Sequence, residues 1–245
     1  MEEALSKLEN TAVLASQRDD EAAEASAHRK LCHAYREVAR LEESIREGLV
    51  AKDICERRGL WSELVLTLIE LAKSRLQHDD ASGAFGDLQD AEGIASTHDL
   101  RVELADVLIA SAFGYSESGL PERSLESVER AFTSPEALPT VRQVDLLNTR
   151  AGTLIQLGRF EEADLDLDWA RALLQSEPNE AQILSILTKK ALVQGAKEGF
   201  DAVLKTVQEA EAISQTGGAP AMAHFYETLG LWYVAAGRAE EATHF

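Results

Sequence analysis

The stretch 146–170, LLNTRAGTLIQLGRFEEADLDLDWA, carries the pattern that decides the fold. Three of its residues are spaced four and three positions apart, which places them on one face of a helix; they are Leu147, Ala151 and Leu154. Gly158 follows, and glycine readily takes the left-handed conformation that ends a helix. A second amphipathic segment then runs to Ala170. The stretch therefore predicts a helix, a tight turn and a second helix.

The same unit recurs along the whole chain. Small residues stand at successive spacings of 40, 40, 39, 40 and 39, at Cys32, Ala72, Ala112, Ala151, Ala191 and Gly230. An alanine follows nineteen residues after each of the first five, at Ala51, Ala91, Ala131, Ala170 and Ala210. Glycines also recur seven residues after the small position, at Gly119, Gly158 and Gly237. A fixed period of this length is typical of stacked helical repeats.

The prolines fit this division into helices. Each is expected near a helix boundary, since proline inside a helix costs about 3 kcal/mol; they are Pro121, Pro135, Pro139, Pro178 and Pro220. No segment alternates between apolar and polar residues with period two, so no strands are predicted. The expected fold class is all-α.

The segment Leu229-Gly230-Leu231-Trp232-Tyr233, with Gly237 after it, is similar to the tetratricopeptide repeat. The resemblance implies a right-handed superhelical solenoid of about five full helix-turn-helix units, with the first helices on its concave side. Two departures are visible: the period is 39–40 residues where the usual repeat has 34, and the tyrosine position three residues after the small residue holds Arg75 and Gln194. The long period resembles that of bacterial signalling regulators.

These patterns predict one solenoid domain over residues 1–245. The repeats are expected at 21–60, 61–100, 101–139, 140–179 and 180–218, with partial units at 1–20 and 219–245. Because both ends divide a repeat, we expect a fragment of a longer protein; natural ends capped by dimerisation are the alternative. The first helix of the partial repeat at 219–245 carries three residues that could contact a dimer partner or a following repeat: Leu231, Trp232 and Tyr233.

Charge limits the possible partners. The 245 residues include 24 Lys and Arg against 43 Asp and Glu, giving a net charge of −19. This excess of negative charge disfavours binding to nucleic acid or to anionic membranes. The sequence shows neither a signal peptide nor an apolar run long enough for a bilayer, and its two cysteines are too few for a disulfide framework. A cytoplasmic protein is expected.

Motifs for catalysis, cofactors or metals are missing from the sequence, so neither an enzyme nor a cofactor is expected. Asp164, Asp166 and Asp168 resemble the start of a calcium loop, but Trp169 stands where its glycine should be. We therefore interpret the three as the solvated face of a helix, with packing by Leu165, Leu167 and Ala170. Cys32 lies in the small-residue column, so a metal site with the neighbouring His28 and His33 is also disfavoured.

The expected binding surface is the concave face. Its candidate residues for a peptide or protein are Arg29, His33, Arg36, Ile69, Lys73, Leu76, Ile109, Phe113, Asn148, Ile155 and Leu192. The basic residues at its N-terminal end suggest a ligand whose acidic end lies toward Arg29 and Arg36, with apolar contacts farther along. The alternative is that the apolar residues are core and that the arginines pair with Glu37 or Glu43.

The function expected from the resemblance is a protein- or peptide-binding region of a larger bacterial signalling protein. Its output domain, such as a diguanylate cyclase, histidine kinase or transcription regulator, would lie outside this chain. The first alternative is a free-standing adaptor that joins two proteins. The second is an enzyme on a helical solenoid, for which the spacing of Asp, Glu and His gives no support.

Overall fold

The computed structural model describes residues 2–132, 138–175, 178–214, 219–235 and 237–243. These residues form helices joined by short turns and contain no strand, so the predicted all-α fold is confirmed. The helices are α1 (Glu2–Gln17), α2 (Glu21–Glu37), α3 (Leu41–Arg58), α4 (Trp61–Gln77), α5 (Ala81–Thr97), α6 (Arg101–Glu117), α7 (Pro121–Ala131), α8 (Thr140–Gln156), α9 (Phe160–Leu173), α10 (Glu180–Lys197), α11 (Phe200–Ser214), α12 (Ala219–Ala235) and α13 (Ala239–Ala242).

The helices group into two compact units, Met1–Leu120 and Pro121–Phe245. Unit 1 holds α1–α6, and the first helices α2, α4 and α6 lie beside one another in it. Unit 2 holds α7–α13, where α8 lies beside α10 and α10 beside α12. The second helices α3, α5, α9 and α11 pack on the first helices of their own repeats, which are α2, α4, α8 and α10, while α7 packs on α8.

The small-residue columns are the places where helices approach one another. Cys32, Ala72, Ala112, Ala151 and Ala191 are at most 1% exposed, and Ala51, Ala91, Ala170 and Ala210 are 0% exposed. Gly48 illustrates the constraint, because a β-carbon there would lie 2.5 Å from Cδ2 of Leu71. Ala131 and Gly230 are only partly buried. Larger side chains in these columns would have to push helices apart.

The turns of unit 1 repeat every twenty residues. A residue with positive φ follows each helix in turn, at Asp19, Ala39, Gly59, Asp79, Asp99 and Gly119. The N–H of the next residue donates to the carbonyl five positions back, as from Arg40 to Tyr35 at 2.9 Å and from Leu120 to Tyr115 at 2.8 Å. This is the hydrogen bond of a Schellman turn. Each helix and its turn therefore occupy a constant length of chain.

The glycines expected at helix ends take this conformation. Gly119, Gly158 and Gly237 have φ values of 71°, 72° and 74°. The sequence did not reveal the turns at Asp19, Ala39, Asp79 and Asp99, because a non-glycine residue occupies the left-handed position. Among the prolines, Pro121 begins α7 and Pro139 caps α8, Pro178 precedes α10 and Pro220 lies in the first turn of α12. Pro135 lies outside the described residues.

Arg75 and Gln194, which depart from the tyrosine column, each bond a residue twelve positions later. Arg75 donates to the buried Asp87 at 2.7 Å, and Gln194 accepts a hydrogen bond from Thr206 at 2.5 Å. Each of these two positions thus holds a polar side chain that bonds across the two helices of its own repeat. Burial of a polar group is tolerated where such a partner is present.

Replacing Ala39 with glycine tests the cost of the left-handed turns. Left-handed backbone costs an L-residue about 1–2 kcal/mol, whereas glycine loses about 0.4–1 kcal/mol of chain entropy on folding. We expect Ala39→Gly to raise the free energy of unfolding by about 0.5–1 kcal/mol, measured by urea denaturation. The reverse change, Gly119→Ala, should lower it by a similar amount. A loss of stability in Ala39→Gly would contradict the assigned conformation.

Candidate functional site

The basic residues predicted on α2 are held in ion pairs with α4. Arg29 Nε donates to Glu63 at 2.7 Å, and Arg36 lies 3.4 Å from Glu70 and 3.0 Å from Glu37. Both arginines therefore already have carboxylate partners within the fold. Arg36 does pair with Glu37, as the alternative proposed, but the partner of Arg29 is Glu63 rather than Glu37 or Glu43.

Glu70 is the centre of this charge network. Its carboxylate lies 2.8 Å from Lys73 Nζ and 3.1 Å from His33 Nδ1, in addition to the contact with Arg36. Burial alone would raise the pKa of Glu70, but Lys73, Arg36 and His33 outweigh that effect and hold the pKa below its ordinary value. Glu70 therefore stays ionised and offsets part of the positive charge that the sequence placed on this face.

The apolar candidates of unit 1 differ in exposure. Ile69 is 5% exposed and belongs to the core around α4, so it is not available to a ligand. Leu76 and Ile109 are partly buried, and Leu76 packs against the same core. Phe113 is 52% exposed, although it lies one residue from the fully buried Ala112. Phe113 is thus the large apolar side chain of this set that the fold leaves open to solvent.

A pocket of about 630 Å³ lies at the C-terminal ends of α4 and α6, and we call it the Phe113 pocket. It is lined by Arg36, Lys73, Leu76, Gln77, Asp79, Ala81, Phe113, Glu117 and Ser118. Four of the predicted residues meet here, namely Arg36, Lys73, Leu76 and Phe113. Arg29, His33 and Ile109 do not line it.

Sequence reasoning missed Gln77 and Glu117 in this lining. Both lie five residues after the small position of their repeat, next to the column that was considered. Asp79 was missed as well, because it occupies the left-handed turn after α4. Gln77 and Glu117 are the last residues of α4 and α6, so the repeat spacing applied to the end of each first helix and to the turn after it would have identified all three residues.

Unit 2 carries its predicted residues on α8 and α10. Asn148 Nδ2 donates to Ser185 Oγ at 2.9 Å, while Ile155 and Leu192 are partly buried against the cores of the unit. Ser185 also receives a hydrogen bond from Lys189 Nζ at 3.3 Å. Burial lowers the pKa of Lys189 to about 8. Lys189 has no carboxylate partner among the described residues.

The end of α12 is covered by its own chain. Tyr233 is 0% exposed, packs edge-on against Phe200 and lies beneath the Arg238 guanidinium, 5.1 Å from its ring centre. Tyr233 is therefore not available as a surface contact, contrary to the sequence prediction. Leu231 is 65% exposed, and Trp232 is partly buried against the core of α10–α13.

The interpretation of α9 as a helix with a solvated aspartate face is partly wrong. Asp166 is 3% exposed and accepts two hydrogen bonds from Arg150, at 2.6 and 2.5 Å. Leu165, expected in the packing, is 70% exposed. Leu167 and Ala170 are buried as expected.

The residues that the structure describes contain no group of three His, Cys, Asp or Glu side chains that could hold a metal ion. Cys32 lies in the core within 3.5 Å of Ser44 Oγ and 3.7 Å of Ser74 Oγ. Burial raises the pKa of Cys32, and that of Cys55 to about 11, so both favour the protonated thiol at neutral pH. None of the described helices has the length and apolarity needed to cross a bilayer.

Comparison with solved structures identifies the architecture. The apo form of RapI aligns with 98% of this chain and 66% of its own, with a TM-score of 0.72 and 12% identity. The Rap conjugation gene regulator of the plasmid pLS20, solved with the Phr* peptide, aligns with 90% of this chain and 61% of its own (TM-score 0.67, 14% identity). BtubC from P. vanneervenii covers 85% of this chain and 86% of its own (0.64, 21%).

The chain has a tetratricopeptide-like fold. No protein-family model matches the sequence, and no curated protein matches it significantly. The similarity to the solved structures is below 25% identity and therefore establishes the fold alone. Within this tetratricopeptide-like fold, the Phe113 pocket lies on the first helices α4 and α6, with Arg36 of α2 at its edge.

Charge reversal at Arg36 tests whether the cations of α2 serve the fold. Arg36→Glu would place a carboxylate beside Glu70, so we expect the free energy of unfolding in urea to fall by about 1–3 kcal/mol. Lys30→Glu is the matched control, because Lys30 is exposed on the same helix and has no ion pair among the described residues. The control should change stability by less than about 0.5 kcal/mol. Equal effects of the two substitutions would contradict the ion-pair network.

Lys189 gives a prediction for pH. In the folded chain the pKa of Lys189 is lowered to about 8, whereas in the unfolded chain it is about 10.4. Between these two pH values the unfolded chain binds more protons than the folded chain, so Lys189 makes the free energy of unfolding rise with pH in that window. Lys189→Met should remove this rise and increase the free energy of unfolding at pH 7 by about 1–2 kcal/mol. The control Lys190→Met should instead destabilise, because Lys190 pairs with Asp164 and Asp168. Urea titrations from pH 7 to 10 measure both.

Proposed function

We propose that the protein is a peptide-binding regulatory module. In this proposal the Phe113 pocket takes an apolar side chain from a segment of a partner protein or from a free peptide. The observation that carries the proposal is the 52% exposure of Phe113 inside a concave pocket. Exposed aromatic side chains within concavities are typical of binding sites, whereas isolated exposed apolar residues on convex surfaces need no explanation.

The pocket combines apolar and charged groups in a way that suits a peptide. Leu76 and Phe113 offer apolar area, while Gln77 and Ser118 offer hydrogen-bonding groups. Gly114, next to Phe113, allows Leu76 and Phe85 to pack closely, since a β-carbon there would lie 3.1 Å from Leu76 Cδ1. The base of the pocket is thereby built on core packing, and a preformed base lowers the entropic cost of binding.

The regulatory part of the proposal draws on the fold. The Rap regulator of pLS20 was solved with a peptide, and its helices align with 90% of this chain at 14% identity. By this analogy the module would control a partner in response to a bound peptide, in a cytoplasmic bacterial setting. We further propose that it works with an output domain; the alternative is a free-standing adaptor. Binding, rather than catalysis, is the proposed activity.

Substituting Phe113 tests the proposed site. An octapeptide phage library would be selected on the full chain, and synthetic copies of the selected peptides would be titrated by fluorescence anisotropy. Phe113→Ser should weaken their binding by about tenfold or more, because a buried aromatic contact contributes about 1–2 kcal/mol or more to an interface. The thermal unfolding temperature should change little, since Phe113 is half exposed.

Leu165→Ser is the control, because Leu165 is 70% exposed on α9, a second helix of unit 2. This change also removes an exposed apolar side chain, and peptide binding should stay within about twofold of the original. Selected peptides that bind equally well to Phe113→Ser would show that the site lies elsewhere.

A further inference from the structure

The unpaired charges of the Phe113 pocket are negative. Asp79 and Glu117 are exposed, and neither takes part in an ion pair among the described residues. The cations of the same lining are engaged: Lys73 with Glu70, and Arg36 with Glu70 and Glu37. A ligand group that enters the pocket therefore meets carboxylates without partners and cations whose charge is already balanced.

Helix ends add to this field. Gln77 ends α4 and Glu117 ends α6, so two helix C-termini lie at the pocket. The C-terminus of a helix carries a partial negative charge that favours nearby cations. The net charge of −19 also attracts cationic segments over longer distances.

The aromatic ring offers a further contact for a cation. Phe113 is half exposed, so one side of its ring can be approached from solvent. A lysine or arginine side chain over an aromatic face is attracted by the partial negative charge of that face. An acidic group in the same place would meet repulsion from the ring face and from both carboxylates. The charge of the expected ligand is thus opposite to that suggested by the sequence.

We propose that the segment bound by the Phe113 pocket is a peptide with a lysine or arginine next to the apolar residue that packs on Phe113. The basic side chain lies toward Asp79 and Glu117, and the apolar side chain lies against Phe113 and Leu76. This assignment of the ligand class rests on the proposed peptide-binding function of the pocket. It adds the sign of the ligand charge, which that function leaves open.

The test uses the octapeptides selected on the full chain whose binding depends on Phe113. Lysine and arginine should be enriched in them next to aromatic or branched aliphatic residues. The double variant Asp79→Asn/Glu117→Gln removes both unpaired carboxylates, and asparagine tolerates the left-handed turn at position 79, where φ is 61°. We expect this variant to weaken binding by about three- to tenfold at low salt, with a smaller effect at 0.5 M salt.

The control variant Glu42→Gln/Asp90→Asn removes the same charge from exposed positions on the second helices α3 and α5. It should change binding by less than about twofold, since only the long-range field is altered. Circular dichroism melts verify that both double variants remain folded. A synthetic peptide in which the basic residue is replaced by glutamate should bind at least about tenfold more weakly than the original.

The outcomes separate the two proposals. Phe113-dependent peptides rich in Asp or Glu, or insensitive to Asp79→Asn/Glu117→Gln, would overturn the assigned ligand class and leave the peptide-binding function standing. A selection that yields no Phe113-dependent peptide would remove the proposed function and this inference together. Basic peptides weakened alike by both double variants would also overturn the inference, because a general field rather than the pocket would then explain their binding.

Discussion

The left-handed turn that recurs every twenty residues in unit 1 is the constraint on which that unit depends. Each turn reverses the chain with the same left-handed residue and the same hydrogen bond, so every helix begins in the same rotational position relative to the helix before it. This constant rotational position allows one small residue of each helix to lie where that helix comes closest to the neighbouring helix. Without it, the alanine columns would drift away from the contacts and the core would contain voids or clashes.

The sequence was sufficient for the fold because its decisive features are local. Alanine columns, helix-ending glycines and proline positions all depend on residues within one repeat. The turns at Ala39 and Asp79 were not recognised, because only glycine was considered for the left-handed position, although aspartate also takes this conformation more readily than most residues. Tertiary packing can hold a non-glycine residue at positive φ at a cost of about 1–2 kcal/mol.

The candidate site was only partly predictable, because it depends on contacts between repeats. The phase of the repeat placed Arg36, Lys73, Leu76 and Phe113 on first helices, and these four do line one pocket. The phase could not show that the carboxylate of Glu70 lies against Arg36, Lys73 and His33 and offsets part of the positive charge on this face. Arg36 and His33 lie 34 and 37 positions before Glu70 in the sequence, so their contacts with it depend on the side-chain geometry of two different helices. The sign of the pocket charge therefore emerges only from the structure.

Adjacent columns of the first helices separate the requirements of folding from those of binding. The small residues of one column, such as Ala72 and Ala112, are at most 1% exposed and fix the distance between helices. One residue later, the helix has turned by about 100°, and the side chains there reach solvent. Phe113 is 52% exposed, and the side chains of His33 and Lys73 are 53% and 36% exposed.

At the half-exposed Phe113, a change in this second column alters the chemistry offered to a ligand more than it alters the helix contacts, whereas Leu192 in the same column also packs against the core. A change in the first column alters the helix contacts themselves. Successive residues of a helix differ in direction by about 100°, so a residue that packs and a residue that faces a ligand can be neighbours in the sequence. This rotation is the physical basis on which one helical framework can recognise different ligands. Phe113 beside Ala112 is the clearest case in this chain.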